Sequence, residues 1–234
     1  MPTHQRVQPA TPPILLRHVY DRALSLVCAY AWRCPKKTEL VPFFDVNSSP
    51  PDASSPRRHL DIGVGTGFFL ESAPFHNVSH IALSDLNPDC LEAAAARARR
   101  AHPSLSCETV QADFLAPDAL SADKFDNTKF DAVSVMLLLH CLPGPPPPKA
   151  TALVRLKHLL AEDGVLFGAT VLGSGVKHNL FGRLILWWFN RKGFFGNSDD
   201  EAASFVEPLE EAFTSVNWGV VGTVLLFHAR GPKL

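Results

Sequence analysis

From residue 58 onward, short apolar segments alternate with longer segments of helical periodicity, and this alternation limits the fold more than any other feature. Strands that alternate with helices form a parallel sheet with helices on both faces, because each helix returns the chain to the start of the next strand. The helix at 148–160 is expected to end at Glu162-Asp163-Gly164. We predict strands at 58–62, 81–84, 106–111, 132–138 and 165–169, and helices after Gly67 and at 88–101, 148–160, 177–190 and 199–213. Two further strands, at 215–220 and 223–229, predict a terminal antiparallel hairpin around Gly222.

Proline-rich segments precede this alternating region. Residues 1–13 hold four prolines and are expected to be a loose tail, while the apolar spacing at 14–32 predicts a helix. Residues 33–57 hold five prolines and a cluster of Ser, Asn and Asp, which predicts a linker or an irregular wrap. We therefore divide the chain into an N-terminal part, 1–57, and a main domain, 58–234.

Composition excludes several classes of protein. A net charge of -1 argues against a protein that wraps nucleic acid, whose binding face would be basic. Five cysteines without a CxxC pair predict neither a disulfide framework nor a zinc site. The longest apolar runs, 132–139 and 184–189, are too short to cross a bilayer, and the first ten residues lack the uninterrupted apolar stretch that is typical of a signal peptide. We expect a soluble cytoplasmic protein, monomeric or homodimeric, without stable membrane insertion.

A glycine-rich turn follows the first strand and opens a helix: Asp61-Ile62-Gly63-Val64-Gly65-Thr66-Gly67. Glycines allow a sharp turn and a close approach of a ligand, and ligands of open α/β sheets bind at the carboxyl ends of strands. The dinucleotide fingerprint GxGxxG fails, because Phe68 stands where its third glycine would be. Asp61 would also repel a pyrophosphate, so a ligand with a cationic group is favoured over one with a pyrophosphate. The alternative is a tight connection that binds no ligand.

Two more acids end the next two strands. Asp85 follows Asp61 by 24 residues, where an acid typically accepts both hydroxyls of a ribose. Asp113 could accept an adenine amino group, with Phe114 or Leu86 packing on the ring. A ligand that is cationic and carries both ribose and adenine is S-adenosylmethionine. The alternatives are a helix cap for Asp85 and an ordinary loop acid for Asp113.

Five segments follow one another along the chain at the predicted strands and turns: HLDIGVGTGFFL (59–70), IALSDLNPDCLEAA (81–94), VQADFL (110–115), FDAVSVMLLLHCLPG (130–144) and LLAEDGVLFGAT (159–170). In this order they resemble the class I S-adenosylmethionine-dependent methyltransferases of small-molecule type. The resemblance covers about residues 59–230 and implies a Rossmann-like α/β sheet of seven strands, order 3-2-1-4-5-7-6, with strand 7 antiparallel. The N-terminal helix is similar to the lid helix of such enzymes.

The resemblance also implies roles for individual residues. Asp61 would lie near the amino group of the cofactor, Asp85 would bind the ribose, and Asp113 with Phe114 would hold the adenine. His140, at the end of the fourth strand, would lie next to the methyl group and the acceptor. The methionine part of the cofactor would pass over the three glycines of the turn, Gly63, Gly65 and Gly67.

The sequence leaves the catalytic base and the acceptor open. His140 is a candidate general base, Tyr20 a weaker one, and a residue that merely lines the pocket is the alternative for His140. His76 and His80 are four residues apart on a non-helical stretch, so no metal site is expected. Metal-assisted methylation is also disfavoured, because no acids stand near the end of the fourth strand.

The segment 180–189 is apolar almost all round, which predicts a buried helix, a cap over an apolar pocket, or a membrane-touching face. The fourth strand also ends without the Asn/Asp-Pro-Pro-aromatic run of base methylases, so a small hydrophobic acceptor is favoured. It would be methylated on oxygen, nitrogen or carbon. The alternatives are a cofactor-binding protein with a non-methylating reaction such as cyclisation, and a protein methyltransferase or non-enzymatic regulator. The aromatic residues expected around the pocket are Tyr20, Trp32, Phe181, Trp187, Phe194 and Phe195.

Overall fold

A seven-stranded sheet forms the centre of the computed structural model, which describes residues 23–48 and 56–233. The strands are β1 Arg57–Ile62, β2 Val78–Asp85, β3 Ser106–Gln111, β4 Phe130–Met136, β5 Leu160–Val171, β6 Phe213–Val221 and β7 Val224–Pro232. Their order is β3-β2-β1-β4-β5-β7-β6. β7 is antiparallel to both neighbours, and the other pairs are parallel. The fold class and the strand order implied by the resemblance are confirmed.

The two central strands, β1 and β4, position the site. They pair in parallel, with Asp61 opposite Ser134. The strand order reverses between them, since β2 and β3 continue on one side and β5 on the other. A reversal of this kind opens a crevice at the carboxyl ends of the strands, where ligands of α/β sheets bind. The glycine turn leaves β1 at this edge.

Helices cover both faces of the sheet. In β4, Val133 and Ala132 are buried in two different core clusters, which shows that neighbouring residues of a strand face opposite packed layers. Asn87 caps the long alanine-rich helix by accepting a hydrogen bond from the Asp89 N–H, as its position before Pro88 predicts. The helices of the described residues are α1 at 23–30, α2 Val41–Ser48, α3 Phe68–Ser72, α4 Pro88–Ala101, α5 Pro146–Arg155, α6 Leu180–Arg191 and α7 Ala202–Ala212.

The stretch after α1 is more regular than its prolines predict. Instead of an irregular linker, it contains a π-helical turn at Lys36–Leu40 that continues into α2. Phe44 of α2 is fully buried and stacks on Phe69 of α3 with ring centroids 5.3 Å apart. The burial of this aromatic side chain stabilises the helix and outweighs the local proline signal. The first part of the predicted helix at 14–32, and with it Tyr20, lies outside the described residues.

Two local predictions are wrong in detail. The helix predicted at 148–160 starts two residues earlier, because Pro146 and Pro147 fit its first turn, where no N–H is needed; it is α-helical to Arg155 and 3-10 helical at Leu156–Leu159. Glu162-Asp163-Gly164 does not end that helix but lies within β5, at a register shift against β4. The hairpin predicted for the two last strands is confirmed: β6 and β7 pair antiparallel, with β7 between β5 and β6 and with β6 at the edge opposite β3.

The apolar helix α6 is exposed, which contradicts a buried helix. Among its residues only Gly182 is buried, while Leu180, Leu184 and Trp187 are 82%, 61% and 60% exposed. Gly182 is required at this position, because a Cβ there would lie 2.8 Å from the Ala31 carbonyl oxygen. Close contact with the N-terminal segment therefore fixes the first turn of α6. Within 23–48 and 56–233, no helix is long and apolar enough to cross a membrane.

Candidate functional site

The three glycines of the turn have different structural roles. All three have positive φ, from +50° at Gly65 to +74° at Gly63. A Cβ on Gly63 would lie 2.8 Å from the Leu138 side chain, and one on Gly67 would lie 2.8 Å from the Ala94 backbone. A Cβ on Gly65 would meet nothing within 4 Å. Packing therefore requires Gly63 and Gly67, whereas Gly65 leaves open space beside the backbone.

Asp85 is held across from this open space. Its Oδ2 accepts a hydrogen bond from the Gly65 N–H at 3.2 Å, and its Oδ1 accepts one from the Asn87 N–H at 2.9 Å. Burial raises the pKa of Asp85, and the backbone N–H donors of Asn87 and Gly65 counteract this. A carboxylate oxygen can accept more than one hydrogen bond, so both oxygens of Asp85 keep capacity for ligand hydroxyls.

Asp61 is buried at the end of a hydrogen-bonded chain inside the sheet. The Ser134 hydroxyl donates to Asp61 Oδ1, and His59 Nε2 lies 3.0 Å from the Ser134 oxygen. Burial raises the pKa of Asp61 to about 7, although Ser134 opposes the shift. Burial also lowers the pKa of His59 to about 3, so this imidazole is neutral. Because Ser134 donates to the carboxylate, the neutral His59 ring donates to Ser134, and the chain stabilises the ionised form of Asp61.

The third acid lies at the end of β3. Asp113 is half-buried, and its Oδ1 accepts a hydrogen bond from the Leu115 N–H at 3.1 Å. Phe114 is only 7% exposed and belongs to the core cluster with Leu139, so its ring packs mainly inside the protein. Leu86 is half-buried and its carbonyl oxygen accepts from the Gln111 side chain. Of the two candidates for an apolar platform, Leu86 is thus the more accessible.

The backbone is strained where β4 ends. Leu137 has φ +57°, a conformation that costs a non-glycine residue about 1–3 kcal/mol. Its N–H donates to the Ala169 carbonyl oxygen at 2.7 Å, which holds it to β5. The next residue, Leu138, packs against Gly63 of the glycine turn. The sequence gives no sign of this strain, since a leucine run predicts plain strand.

His140 follows in a short 3-10 turn and is 5% exposed. Its Nδ1 accepts a hydrogen bond from the Val171 N–H at 3.3 Å and lies 3.4 Å from the Thr170 hydroxyl oxygen. Burial, aided by Lys149, lowers the pKa of His140 to about 3. A neutral imidazole whose Nδ1 accepts carries its proton on Nε2, so the second ring nitrogen is a donor. Phe195 stacks edge-on against the ring, with centroids 4.4 Å apart.

A cavity of about 610 Å³ lies beside α6, next to the carboxyl end of β5. Its helical wall consists of residues at i, i+3, i+4, i+7 and i+8, which form one face of a helix. None of the described residues that line it is acidic. The lining includes two arginines, an exposed tryptophan and three further side chains on or near α6, namely Arg183, Arg191, Trp187, Leu186, Asn190 and His178.

The structure brings the predicted cofactor residues to one edge of the sheet but disperses the aromatic residues expected around a pocket. Trp32 is 1% exposed and packs inside against His178 and Phe195, whereas Phe181 and Phe194 are exposed. Tyr20 lies outside the described residues. Sequence reasoning missed both Arg183 and Arg191 as lining residues, although their i, i+8 spacing, with Trp187 at i+4, was visible. In the described part of the chain, no cluster of His, Cys, Asp and Glu could hold a metal ion.

Comparison with known proteins identifies the family of this chain. A family model described as a methyltransferase domain matches residues 60–164. The Physcion biosynthesis cluster O-methyltransferase of Aspergillus chevalieri is 41% identical over 234 residues, covering 100% of this chain and 98% of that protein. Methyltransferase verB of Penicillium polonicum is 42% identical over 220 residues, covering 89% of this chain and 91% of its own.

A solved structure has the same fold at lower identity. N-methyltransferase NodS from Bradyrhizobium japonicum WM9, in complex with S-adenosyl-l-homocysteine, superposes with a TM-score of 0.56. It shares 18% sequence identity, and the match covers 83% of this chain and 85% of NodS. At this identity the similarity concerns the fold alone, which agrees with the strand order found here.

Proposed function

Since the chain belongs to the class I S-adenosylmethionine-dependent methyltransferases, we propose that it methylates an oxygen atom of a small, largely hydrophobic molecule such as a specialised metabolite. The oxygen acceptor is supported by the O-methyltransferase of the physcion cluster, which matches over the full length of this chain. S-adenosylmethionine is the methyl donor and S-adenosylhomocysteine the product. No relative reported above is named for a non-methylating reaction, so the cyclisation alternative lacks support.

One observation carries the cofactor assignment: the open space at Gly65 lies next to a carboxylate that the Gly65 N–H holds in place. Because Gly65 has no side chain to fill this space, a ligand can approach its backbone closely. We assign the ribose to Asp85 and the methionine portion to Gly63, Gly65 and Gly67. The donors fit the group, because a carboxylate with spare acceptor capacity suits a pair of hydroxyls.

We assign the remaining contacts by charge. Asp61 is buried beneath the turn and would attract the ammonium group, since an opposite charge favours its ionised form. Asp113 would accept from the adenine amino group, and half-buried Leu86 would pack on the ring with the edge of Phe114 behind it. Three carboxylates around one ligand suit a cationic cofactor and disfavour a phosphate-bearing one.

The bound cofactor supplies a methyl group that its sulfonium has already activated, so the protein need not create a leaving group. What remains for the chain is to align the acceptor and exclude water. We propose that His140 helps by donating a hydrogen bond through Nε2, because its Nδ1 is engaged by the Val171 N–H. This makes it a positioning or lining residue in preference to a general base. Tyr20 remains a candidate base.

We further propose that residues 1–57 act as a lid. Their described part reaches the start of α6, on the side of the sheet where we place the acceptor. There the Asn179 side chain donates to the Tyr30 carbonyl oxygen at 2.7 Å. Trp32 also contacts the hairpin, since its carbonyl oxygen accepts from the Thr223 N–H at 2.9 Å. These contacts join the start of the chain to the walls of the acceptor region.

The cofactor assignment is tested by Asp85→Ala, with Asp89→Ala as the matched control. Asp89 is an exposed acid four residues further along, on α4. Loss of hydrogen bonds to a charged group should weaken S-adenosylmethionine binding by about 2–3 kcal/mol in Asp85→Ala, and Asp89→Ala should bind normally. Isothermal calorimetry measures both affinities, and circular dichroism checks the fold. Equal affinity in the two variants would contradict the ribose assignment.

A further inference from the structure

The cavity beside α6 carries an unusual combination of groups. Arg183 and Arg191 are two turns apart on one face of the helix, about 12 Å along its axis, with Trp187 between them. The indole is 60% exposed and offers an accessible ring face. An aromatic surface between two cations is suited to a flat conjugated molecule with negative charge.

No acidic side chain among the described residues pairs with the two arginines of this cavity. Neither guanidinium makes an ion pair or side-chain hydrogen bond with another residue in 23–48 or 56–233. Asp199 and Glu201, on the neighbouring loop, are exposed and do not line the cavity. Arg33 adds a further positive charge, which together with burial lowers the pKa of the lining His178. The local field therefore favours an anion.

The walls of the cavity are fixed before any ligand binds. Asn190 and Asn197 exchange two hydrogen bonds, at 3.0 and 3.2 Å. The Asp200 carbonyl oxygen accepts from the Gly173 N–H at 2.9 Å, which ties this loop to the end of β5. The Asp200 side chain is fully buried and pairs with Lys149 at 2.9 Å. Preorganised walls of this kind reduce the ordering cost of binding.

We propose that this cavity binds the anionic end of the methyl acceptor, a flat conjugated molecule bearing a carboxylate or a hydroxyl that is ionised at neutral pH. The inference rests on the proposed function and specifies its substrate class. When the reacting oxygen is the ionised hydroxyl, it is already the nucleophile and needs no general base, whereas an acceptor that bears a carboxylate must still lose the proton of its reacting hydroxyl to a base. The donor role of His140 Nε2 agrees with the first case.

Three probes test the proposal on the full chain loaded with S-adenosylhomocysteine. They are 3-hydroxy-2-naphthoate, which carries a carboxylate; 4-hydroxycoumarin, whose hydroxyl is ionised at neutral pH; and 2-naphthol, which is neutral there. Calorimetry measures the affinity of each probe for the wild type and for Arg183→Gln and Arg191→Gln. Lys192→Gln is the control, because Lys192 is an exposed cation next to Arg191 that does not line the cavity.

We expect at least one anion to bind more tightly than 2-naphthol, and about fivefold or greater loss of anion affinity in each arginine variant. Lys192→Gln should retain anion binding, and 2-naphthol should be insensitive to all three substitutions. Preference for one anion distinguishes a carboxylate from an ionised hydroxyl. Equal binding of 2-naphthol, failure of both anions to bind, or arginine variants with unchanged affinity would overturn the proposal.

The cofactor is measured separately, so the two claims fail differently. If S-adenosylhomocysteine binds and the arginine variants still bind the anions normally, the anion site is wrong and the methyltransferase function stands. If the anions bind through the arginines but the chain fails to bind S-adenosylhomocysteine, the proposed function is wrong and the anion site stands.

Discussion

The two sides of the ligand edge differ in charge and in construction. The side that we propose for the cofactor, called the cofactor side, is made by β1–β3 and the glycine turn and carries Asp61, Asp85 and Asp113. The side that we propose for the acceptor, called the acceptor side, is made by α6 and the loop at 194–200 and carries Arg183 and Arg191 around an exposed tryptophan. The acids would thus attract the cationic methyl donor to one side, and the arginines would attract an anionic acceptor to the other side. The comparison suggests that selectivity and catalysis depend on different halves of the sheet edge.

The largest effect is expected from Lys149→Met, which tests whether a buried ion pair builds the acceptor side. Lys149 is fully buried, and its Nζ donates to both oxygens of Asp200 at 2.9 Å and to the Gly196 carbonyl oxygen at 2.7 Å. Removing the cation leaves a buried carboxyl group without its partner, which should cost about 3–5 kcal/mol of unfolding free energy in urea.

The double variant Lys149→Met/Asp200→Leu is the matched control and should recover most of that loss, because it removes both charges. If the two sides are independent, Lys149→Met should weaken binding of the naphthoate probe but change cofactor affinity by less than about twofold. A larger loss of cofactor affinity would show that the two sides form one unit.

Gly65→Ala tests the cofactor side, with Gly144→Ala as its counterpart. Both glycines have positive φ, and a Cβ on either would meet no atom within 4 Å. Each variant should therefore lose about 1–2 kcal/mol of stability from backbone strain alone. Only Gly65→Ala should also lose cofactor affinity, by about 1–3 kcal/mol, because its Cβ enters the proposed binding space. Equal cofactor affinity in the two variants would show that the turn does not approach the ligand.

Asp61 should link cofactor binding to proton release. The pKa of Asp61 is raised to about 7 in the folded chain from 3.8, and a bound ammonium group would lower it. At pH 6.5 a group with a pKa of about 7 is roughly three-quarters protonated, so calorimetry in buffers of different ionisation enthalpy should show release of up to about 0.75 proton per cofactor bound. The charge of Asp85 also raises the pKa of Asp61, and burial raises the pKa of Asp85 itself. Asp61→Asn should abolish most of the release; unchanged release would assign it to another group.

The raised pKa of Asp61 also makes the stability of the folded chain depend on pH. Because the folded-state pKa of Asp61 lies above 3.8, the folded chain binds this proton more tightly than the unfolded chain between about pH 4 and pH 7. The contribution of Asp61 to stability therefore falls as the pH rises through this window. Asp61→Asn should flatten that slope in denaturation experiments made at several pH values.

The smallest effect is expected from Ser134→Ala. The Ser134 hydroxyl lowers the pKa of Asp61, so its removal should shift proton release to higher pH. Ser84→Ala is the control. Ser84 is also buried, on β2 beside the strand β1 that carries Asp61, and its hydroxyl has no partner among the described residues. Ser84→Ala should leave the pH dependence unchanged, and an equal shift in both variants would argue against a specific hydrogen bond.

The comparison also explains what the sequence could predict. On the cofactor side, strand, turn and acid are adjacent in sequence, so Asp61 and Asp85 are visible as local patterns at strand ends. Periodicity likewise predicts β3 to the residue, and Asn87-Pro88 marks the start of α4. Such features follow from backbone rules that act over a few residues.

The acceptor side was harder to predict because its contacts join distant segments. Asn179 bonds to Tyr30 across 149 residues, and Thr223 bonds to Trp32 across 191 residues. The buried pair Lys149–Asp200 and the exposure of α6 depend on how these segments pack, which periodicity does not encode. An apolar run such as 180–189 consequently predicts burial that the tertiary structure does not provide.

The central claim is that this chain moves a methyl group from S-adenosylmethionine to an oxygen of a small acceptor. Its most direct test incubates the full chain with S-adenosylmethionine carrying a labelled methyl group and with 4-hydroxycoumarin and small-molecule extracts as acceptors. Mass spectrometry should find a labelled methyl ether formed in equal amount to S-adenosylhomocysteine, and none with Asp85→Ala at low cofactor concentration. Conversion of an acceptor to a product of unchanged mass, without S-adenosylhomocysteine, would contradict the account.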